Sequence, residues 1–383
     1  MHIGRVTTTM WMTTLLVGCA SQASYRSLAT PPAPVSDLVA SLYLVGDAGW
    51  DSPGREAVLA RLRSDLDRHL AETPGTPALV AFLGDNIYDV GARPDHRAQD
   101  IAKLAAQVQA LPESPVVRGV FLPGNHDWAK GASYDEGETA IEIQQAWLDQ
   151  LEGERHVGFL PADECPGPVP VHIAGDVHVV FMDTEWLLRR PEGQCGGADR
   201  FYADLSRELA DRRGERIILA AHHPMATGGP HGGNVGLFHN GPLVYYLAAK
   251  SGVSVQDVMS PTYAAMLDRM RRAVAASGVR PLAMAAGHDH SLQVIRMDGD
   301  DEPAYQLVSG SASKSSVAGR IDGTRYATSA HGFMRVDFTD GGTRLVVFAL
   351  DPDGGAVVPV FACRLSDGAT ETCAEAPLRE EGP

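Results

Sequence analysis

Ala78-Leu79-Val80-Ala81-Phe82-Leu83-Gly84-Asp85-Asn86-Ile87-Tyr88 runs from six apolar residues into a glycine, a carboxylate and a phenol. An apolar run of that length closed by a turn signal reads as a buried strand, with its polar groups delivered at the carboxyl end. The construction recurs four times along the chain. Leu42 to Val45 leads into Gly46-Asp47-Ala48-Gly49, and Val116 to Leu122 into Gly124-Asn125-His126-Asp127. Ile217 to Ala221 leads into His222-His223-Pro224, and Leu282 to Ala286 into Gly287-His288-Asp289-His290. Strands that all deliver carboxylate, carboxamide and imidazole groups from their carboxyl ends are how an α/β sheet builds a site at its rim. The donor mixture suits two hard-to-borderline metal ions side by side, which is the signature of a metal-dependent hydrolase. A Gly-Asp after one strand is usually only a turn. Five such motifs in order are not.

Between the motifs the chain alternates strand and helix. Ser52-Pro53 opens a helix towards Glu72, with proline at its first position and Val58, Leu59, Leu62 and Leu66 on one face. Helical spacing also fits Asp95–Ala110, Glu138–Leu151, Asp199–Asp211 and Tyr263–Ala276. Val169–Ile173 and Val177–Met182 read as paired strands turning at Gly175-Asp176. After Gly287 the runs are short and β-like: Leu292–Met297, Tyr305–Val308, Gly332–Phe338 and Arg344–Ala349, split by Asp/Gly turns. They predict a second sheet packed against the first, an α/β sandwich in place of an open doubly wound sheet. No Gly-rich phosphate loop precedes a helix. Gly228 to Pro261 is long, lies between two of the motifs and is expected to border the site with Asp183–Gln194; Trp186 there is a candidate to stack on a nucleobase.

The bulk properties narrow the partners. A formal net charge of −16 over 383 residues argues against duplex nucleic acid, because the general field would repel it. Small phosphorylated substrates remain compatible, since bound cations reverse the sign locally. Thr7 to Val17 is an uncharged, signal-like segment too short for a comfortable membrane span. It ends Leu16-Val17-Gly18-Cys19, which resembles the lipobox of bacterial lipoproteins. The expected organisation is a signal peptide at 1–18, a lipidated Cys19 with a flexible Ser/Ala/Pro tether over 19–38, a catalytic domain over 39–350, and a C-terminal β extension and tail over 351–383. The product would be exported and anchored by its N-terminal lipid, facing the periplasm or cell surface. Cys165, Cys195, Cys363 and Cys373 then remain, an even number that favours two disulfides. Proximity in sequence favours Cys165–Cys195 and Cys363–Cys373, and the oligomeric state is left open.

The five motifs together resemble the calcineurin-like metallophosphoesterase superfamily and, within it, the purple acid phosphatases. Most members begin Gly-Asp-x-His, with the histidine a metal ligand; this chain has Gly49 in that place. It carries instead Tyr88, three residues after Asp85, matching the Gly-Asp-x-x-Tyr motif of the purple acid phosphatases. The resemblance covers roughly Leu42 to Gly310 and implies a four-layer αββα sandwich of two mixed sheets flanked by helices. By position it implies a first metal site of Asp47, Asp85, Tyr88 and His290, and a second of Asp85, Asn125, His222 and His288, with Asp85 bridging. Phenolate and carboxylates imply Fe(III) in the first site; Zn(II), Fe(II) or Mn(II) would suit the second. His126 is implied on the leaving-group side, as an acid at mildly acidic pH, with Asp127 able to orient it or to cap the following turn. His231, nine residues beyond His222, has the spacing of a histidine that contacts substrate phosphate. The implied activity is acid phosphomonoester hydrolysis by in-line attack of metal-activated hydroxide. Phosphodiesterase or nucleotidase activity on the same core is the alternative, and a surface-anchored, non-catalytic binding protein is the rival of another class.

Overall fold

The computed structural model describes residues 37–189, 194–232, 255–352, 355–366 and 372–375. The signal, lipobox and tether at 1–36, His239 and most of the Gly228–Pro261 segment lie outside the described residues. The first half runs β1 (Leu38–Val45), α1 (Pro53–Glu72), β2 (Ala78–Phe82), α2 (Arg97–Gln109), β3 (Val117–Phe121), α3 (Tyr134–Asp149), α4 (Glu152–Arg155), β4 (Val157–Phe159), β5 (Val169–Ala174), β6 (Val177–Phe181) and α5 (Thr184–Arg189). It continues with α6 (Gly197–Asp211), β7 (Arg216–Ala220), α7 (Pro261–Ser277), β8 (Ala283–Ala286), β9 (Leu292–Arg296), β10 (Tyr305–Ser309), β11 (Thr324–Thr328), β12 (Gly332–Thr339), β13 (Gly342–Leu350), β14 (Val357–Leu365) and β15 (Thr372–Glu375).

Two mixed sheets result. One has eight strands in the order β15-β14-β13-β12-β1-β2-β3-β4, the other seven in the order β11-β9-β10-β8-β7-β6-β5. β1 to β4 are parallel in the first, and β6, β7, β8 and β10 in the second. The period of two along each strand makes the layers. Leu42, Leu44, Leu79, Ala81, Val120 and Val336 enter the core between the sheets, against Ile218, Ala220, Ala283 and Leu307. Tyr43, Val45, Val80 and Phe82 face the other way and share a core with Val58, Leu62 and Leu66 of α1. Burying each of these large apolar side chains contributes roughly 1.5–3 kcal/mol. The predicted αββα sandwich is therefore the fold.

Where structure and sequence reading differ, the causes are local. The strands after Gly287 do not form a sheet of their own. β9 to β11 extend the second sheet, while β12 pairs antiparallel with β1 and continues through β13 to β15. That placement covers a β1 edge that would otherwise offer unpaired backbone groups. α3 starts at Tyr134, ahead of the expected Glu138, because Ser133 and Glu136 form a capping box. The short α5 lies outside the helical stretches the sequence pattern predicts; its start is held by the Trp186 N–H donating to Asp183 Oδ1 at 2.9 Å. Cys165 and Cys195 are disulfide-bonded as expected, with Cα atoms 5.7 Å apart. Cys363 stands opposite Cys373 in the β14–β15 register. Among the described residues no helix is long and apolar enough to cross a membrane.

Candidate metal centre

β1, β2 and β3 of one sheet and β7 and β8 of the other end at the same rim, so the five motifs meet across the gap between the sheets. Asp47, Asp85 and His288 each turn there with a positive φ, of 59°, 55° and 68°. A left-handed conformation at a residue with a Cβ costs about 1–3 kcal/mol and is held only where the surroundings enforce it. Close packing of glycines completes the geometry. A Cβ on Gly124 would lie 2.4 Å from Asp85 Oδ1.

One group of donors is fixed by its own hydrogen bonds. His222 Nδ1 donates to the Leu83 carbonyl at 2.8 Å, which leaves Nε2 as a lone pair. That lone pair faces Asn125 Oδ1 at 3.1 Å and Asp85 Oδ1 at 3.4 Å. His288 Nε2 donates to the Gln256 main-chain carbonyl at 2.8 Å, so its Nδ1 is also a lone pair, 3.2 Å from both Asn125 Oδ1 and His222 Nε2. With the two imidazoles in these tautomers, four ligand atoms converge as acceptors. Separations near 3 Å are what neighbouring donors show when each stands about 2.1 Å from one cation. Burial, with His231, His223 and His222 adding to it, holds His288 well below its usual pKa, in the neutral form a metal requires.

The second group is Asp47, Tyr88 and His290. The Tyr88 hydroxyl donates to Asp47 Oδ1 at 2.9 Å and lies 3.0 Å from His290 Nε2. His290 Nε2 is 3.5 Å from Asp47 Oδ1. Burial, then the charges of Asp47 and Asp85, push the Tyr88 phenol well above its ordinary pKa. Asp47 is likewise pushed up, chiefly by burial. Burial would raise Asp85 too, but His222, His126 and the His126 N–H bring it below the usual carboxylate range. A cation among these groups would relieve Tyr88 and Asp47 and pair with the ionised Asp85, so the residues present fit a metal. Position 49 has no room for the histidine common at this place: a Cβ there would lie 2.4 Å from the Asn86 carbonyl carbon.

His223 lies close enough to His222 and His288 to share a cation with them. Both its nitrogens have partners, however, Thr184 Oγ1 at 2.8 Å and Gln256 Oε1 at 2.7 Å. It therefore braces Gln256, whose amide nitrogen in turn donates to Glu185 Oε2 at 2.9 Å. His231 stacks on His288 with ring centroids 4.0 Å apart. Burial alone would lower its pKa, but the 2.9 Å bond to Asp257 and the nearby Asp289 hold it above the usual value.

Two expectations need correction. Asp127 does not orient His126. Its carboxylate accepts the N–H groups of Gly124 at 2.8 Å, Asn86 at 3.0 Å and Ile87 at 3.0 Å, and so ties the β2 and β3 loops together. The His126 ring is positioned instead by Nδ1 donating to the Asp89 carbonyl and by Lys130 Nζ, 3.1 Å from Nε2. Burial holds its pKa down to about 4, so imidazolium at mildly acidic pH needs a further anion beside it. Trp186 is buried and offers no face to a ligand; the exposed indole near the site belongs to Trp50, edge-on to Tyr88 with centroids 6.3 Å apart. Sequence reasoning also passed over Gln256, Lys130 and Lys314. The last two had a signal in composition, since the chain has only four lysines among its 32 basic residues.

Comparison with known proteins agrees with this fold. Among solved structures, "GAP50 the anchor in the inner membrane complex of Plasmodium" shares the fold with a TM-score of 0.53, 15% identity and 89% coverage of both chains. "Structure of PhoD" gives a TM-score of 0.56 and 12% identity over 92% of this chain and 74% of that one. No curated protein matches the sequence. The model of the calcineurin-like phosphoesterase family matches residues 40–256, more than half of the chain, and takes in every motif up to His222-His223-Pro224. With the remaining motif brought to the same rim by β8, the chain belongs to the calcineurin-like phosphoesterase family.

Proposed function

We propose that this chain is a purple acid phosphatase-like acid phosphomonoesterase, with ferric iron held by Asp47, Asp85, Tyr88 and His290 and zinc, ferrous iron or manganese held by Asp85, Asn125, His222 and His288. The observation that carries this reading is the Tyr88 hydroxyl, 2.9 Å from Asp47 Oδ1 and 3.0 Å from His290 Nε2, beside a Gly49 that leaves no room for another ligand. Once bound, the two ions would supply the Lewis acidity and activated water of a dinuclear hydrolase. His231, stacked over His288, is placed to meet a phosphoryl oxygen. His126 Nε2, 3.8 Å from Asp85 Oδ2, is placed to hold or pass a proton on the leaving-group side. The Cys165–Cys195 disulfide supports an oxidising compartment and, with the Cys19 lipobox, an exported lipoprotein.

Two rivals have an observation each. Trp50, 40% exposed, keeps open a nucleotide or diester substrate that stacks on it. The Plasmodium protein of the same fold is described as an anchor, so an anchoring, non-catalytic role is the alternative of another class. The convergence of acceptors argues against a retired scaffold, which would be free to lose it. Hydrolysis of one chromogenic phosphomonoester and its matching diester by the full chain, from about pH 4 to 9, separates the readings. Monoester preference with an acidic optimum is expected; diester preference transfers the function to phosphodiester cleavage. Loss of long-wavelength absorption in Tyr88→Phe tests the phenolate–iron assignment without relying on turnover.

A further inference from the structure

Arginine supplies nearly all the positive charge of this chain: 28 arginines stand against four lysines. Lys250 falls outside the described residues, and the other three meet at one place. Lys103 Nζ donates inward to the Tyr88 main-chain carbonyl and tethers that loop. Lys130 Nζ lies 3.1 Å from His126 Nε2. Lys314 Nζ lies 3.8 Å from the centre of the Tyr88 ring and 4.6 Å from that of Trp50. Lys130 follows β3 in one sheet and Lys314 follows β10 in the other, so each side of the cleft presents an ammonium group.

Lys314 is held where it is. Ser313 Oγ donates to the Asp47 carbonyl and accepts the Trp50 N–H at 3.1 Å. The Ser316 N–H donates to the His290 carbonyl at 2.7 Å. The loop is thus pinned on both sides of Lys314 to Asp47 and His290 of the second donor group. Each ammonium stands one side chain out from the donors: Lys130 beyond His126, Lys314 over the ring of Tyr88. Among the described residues Lys130 pairs with no carboxylate, and Lys314 reaches only Asp89, at 4.0 Å. An ammonium on a flexible stem can swing to a ligand, whereas a guanidinium fork is better suited to fixed carboxylate pairs.

We propose that Lys130 and Lys314 form a second anion subsite at the mouth of the centre, selecting substrates that carry a further phosphate beside the one at the donors, for which inorganic diphosphate is the simplest probe. The inference rests on the phosphoesterase reading for the first phosphate and adds the substrate class. Calorimetric titration of the metal-loaded full chain with inorganic diphosphate and with orthophosphate tests it. Wild type should prefer diphosphate by about tenfold or more, and the preference should shrink with added salt. Lys130→Gln with Lys314→Gln should abolish the preference, and the two lysines replaced together by arginine should restore most of it. An unchanged preference in the glutamine variant, or none in wild type, overturns the subsite. Hydrolysis of p-nitrophenyl phosphate reads the underlying function separately. Diphosphate preference without any hydrolysis supports the subsite and defeats the phosphatase reading; hydrolysis without preference does the reverse.

Discussion

Two buried polar clusters share strand β1, and they are built on opposite principles. Inside the sheet, Ser41 and Tyr43 belong to a cluster in which Arg335 pairs with Asp65 and Asp337. Arg344 also reaches Asp337, at 3.2 Å, and Arg61 and Arg68 reach Asp65 at 3.6 and 3.5 Å. Just past the strand, Asp47 joins Asp85, Asn125, Tyr88 and three imidazoles, and among the described residues no arginine or lysine pairs with its carboxylates. The first cluster carries its own cations. The second has donors for a cation and none of its own among them. Burial of charge is thus no sign of function by itself; a buried set of one polarity is.

The largest effect should come from Asp85→Asn, which removes the carboxylate proposed to serve both metal sites. Loss of a residue that merely supports a metal ligand typically costs about 10–100-fold, so activity should fall by more than that, with metal content dropping alongside. Two metals retained by this variant with near-normal turnover would break the contrast between the clusters.

Asp65→Asn perturbs the other cluster. Breaking a buried pair costs about 3–5 kcal/mol, so urea unfolding should show a loss of that order while metal content stays as in wild type. Chelation gives the converse, lowering the unfolding temperature of wild type and of Asp65→Asn by similar amounts. A chelator effect that depends on Asp65 would mean the clusters are coupled through β1.

These two clusters also mark how far the sequence could be read. The donors of the metal centre are legible because each follows an apolar run and a glycine, and a strand's direction fixes which end its polar residues reach. Nothing local distinguishes Asp65 or Asp337 from a surface aspartate; their burial depends on β12 lying beside β1, a pairing nearly three hundred residues apart in sequence. Asp127 misled for a related reason. Adjacent to His126 in sequence, it turns to the backbone of a loop about forty residues earlier. Asp127→Asn should loosen that brace and weaken metal affinity by about 10–100-fold, with turnover at saturating metal affected less.

Asp183 is an intermediate case, a buried carboxylate that accepts neutral N–H groups: Trp128 Nε1 at 2.7 Å and the Trp186 backbone at 2.9 Å. Burial lifts its pKa to about 7. Because that value exceeds the unfolded one, the folded chain holds the proton more tightly between the two, and the associated stability is present in full at low pH and lost as pH rises towards 7. Compared with Asp183→Asn, wild type should therefore lose stability from about pH 4 to 7, by at most about 1.4 kcal/mol per pH unit. The difference between the two unfolding curves isolates this residue from the many other carboxylates. A flat difference would mean that Trp128 and Trp186 hold Asp183 ionised without a cation, and that two good N–H donors can do for one carboxylate what the Asp47–Asp85 site leaves to a metal.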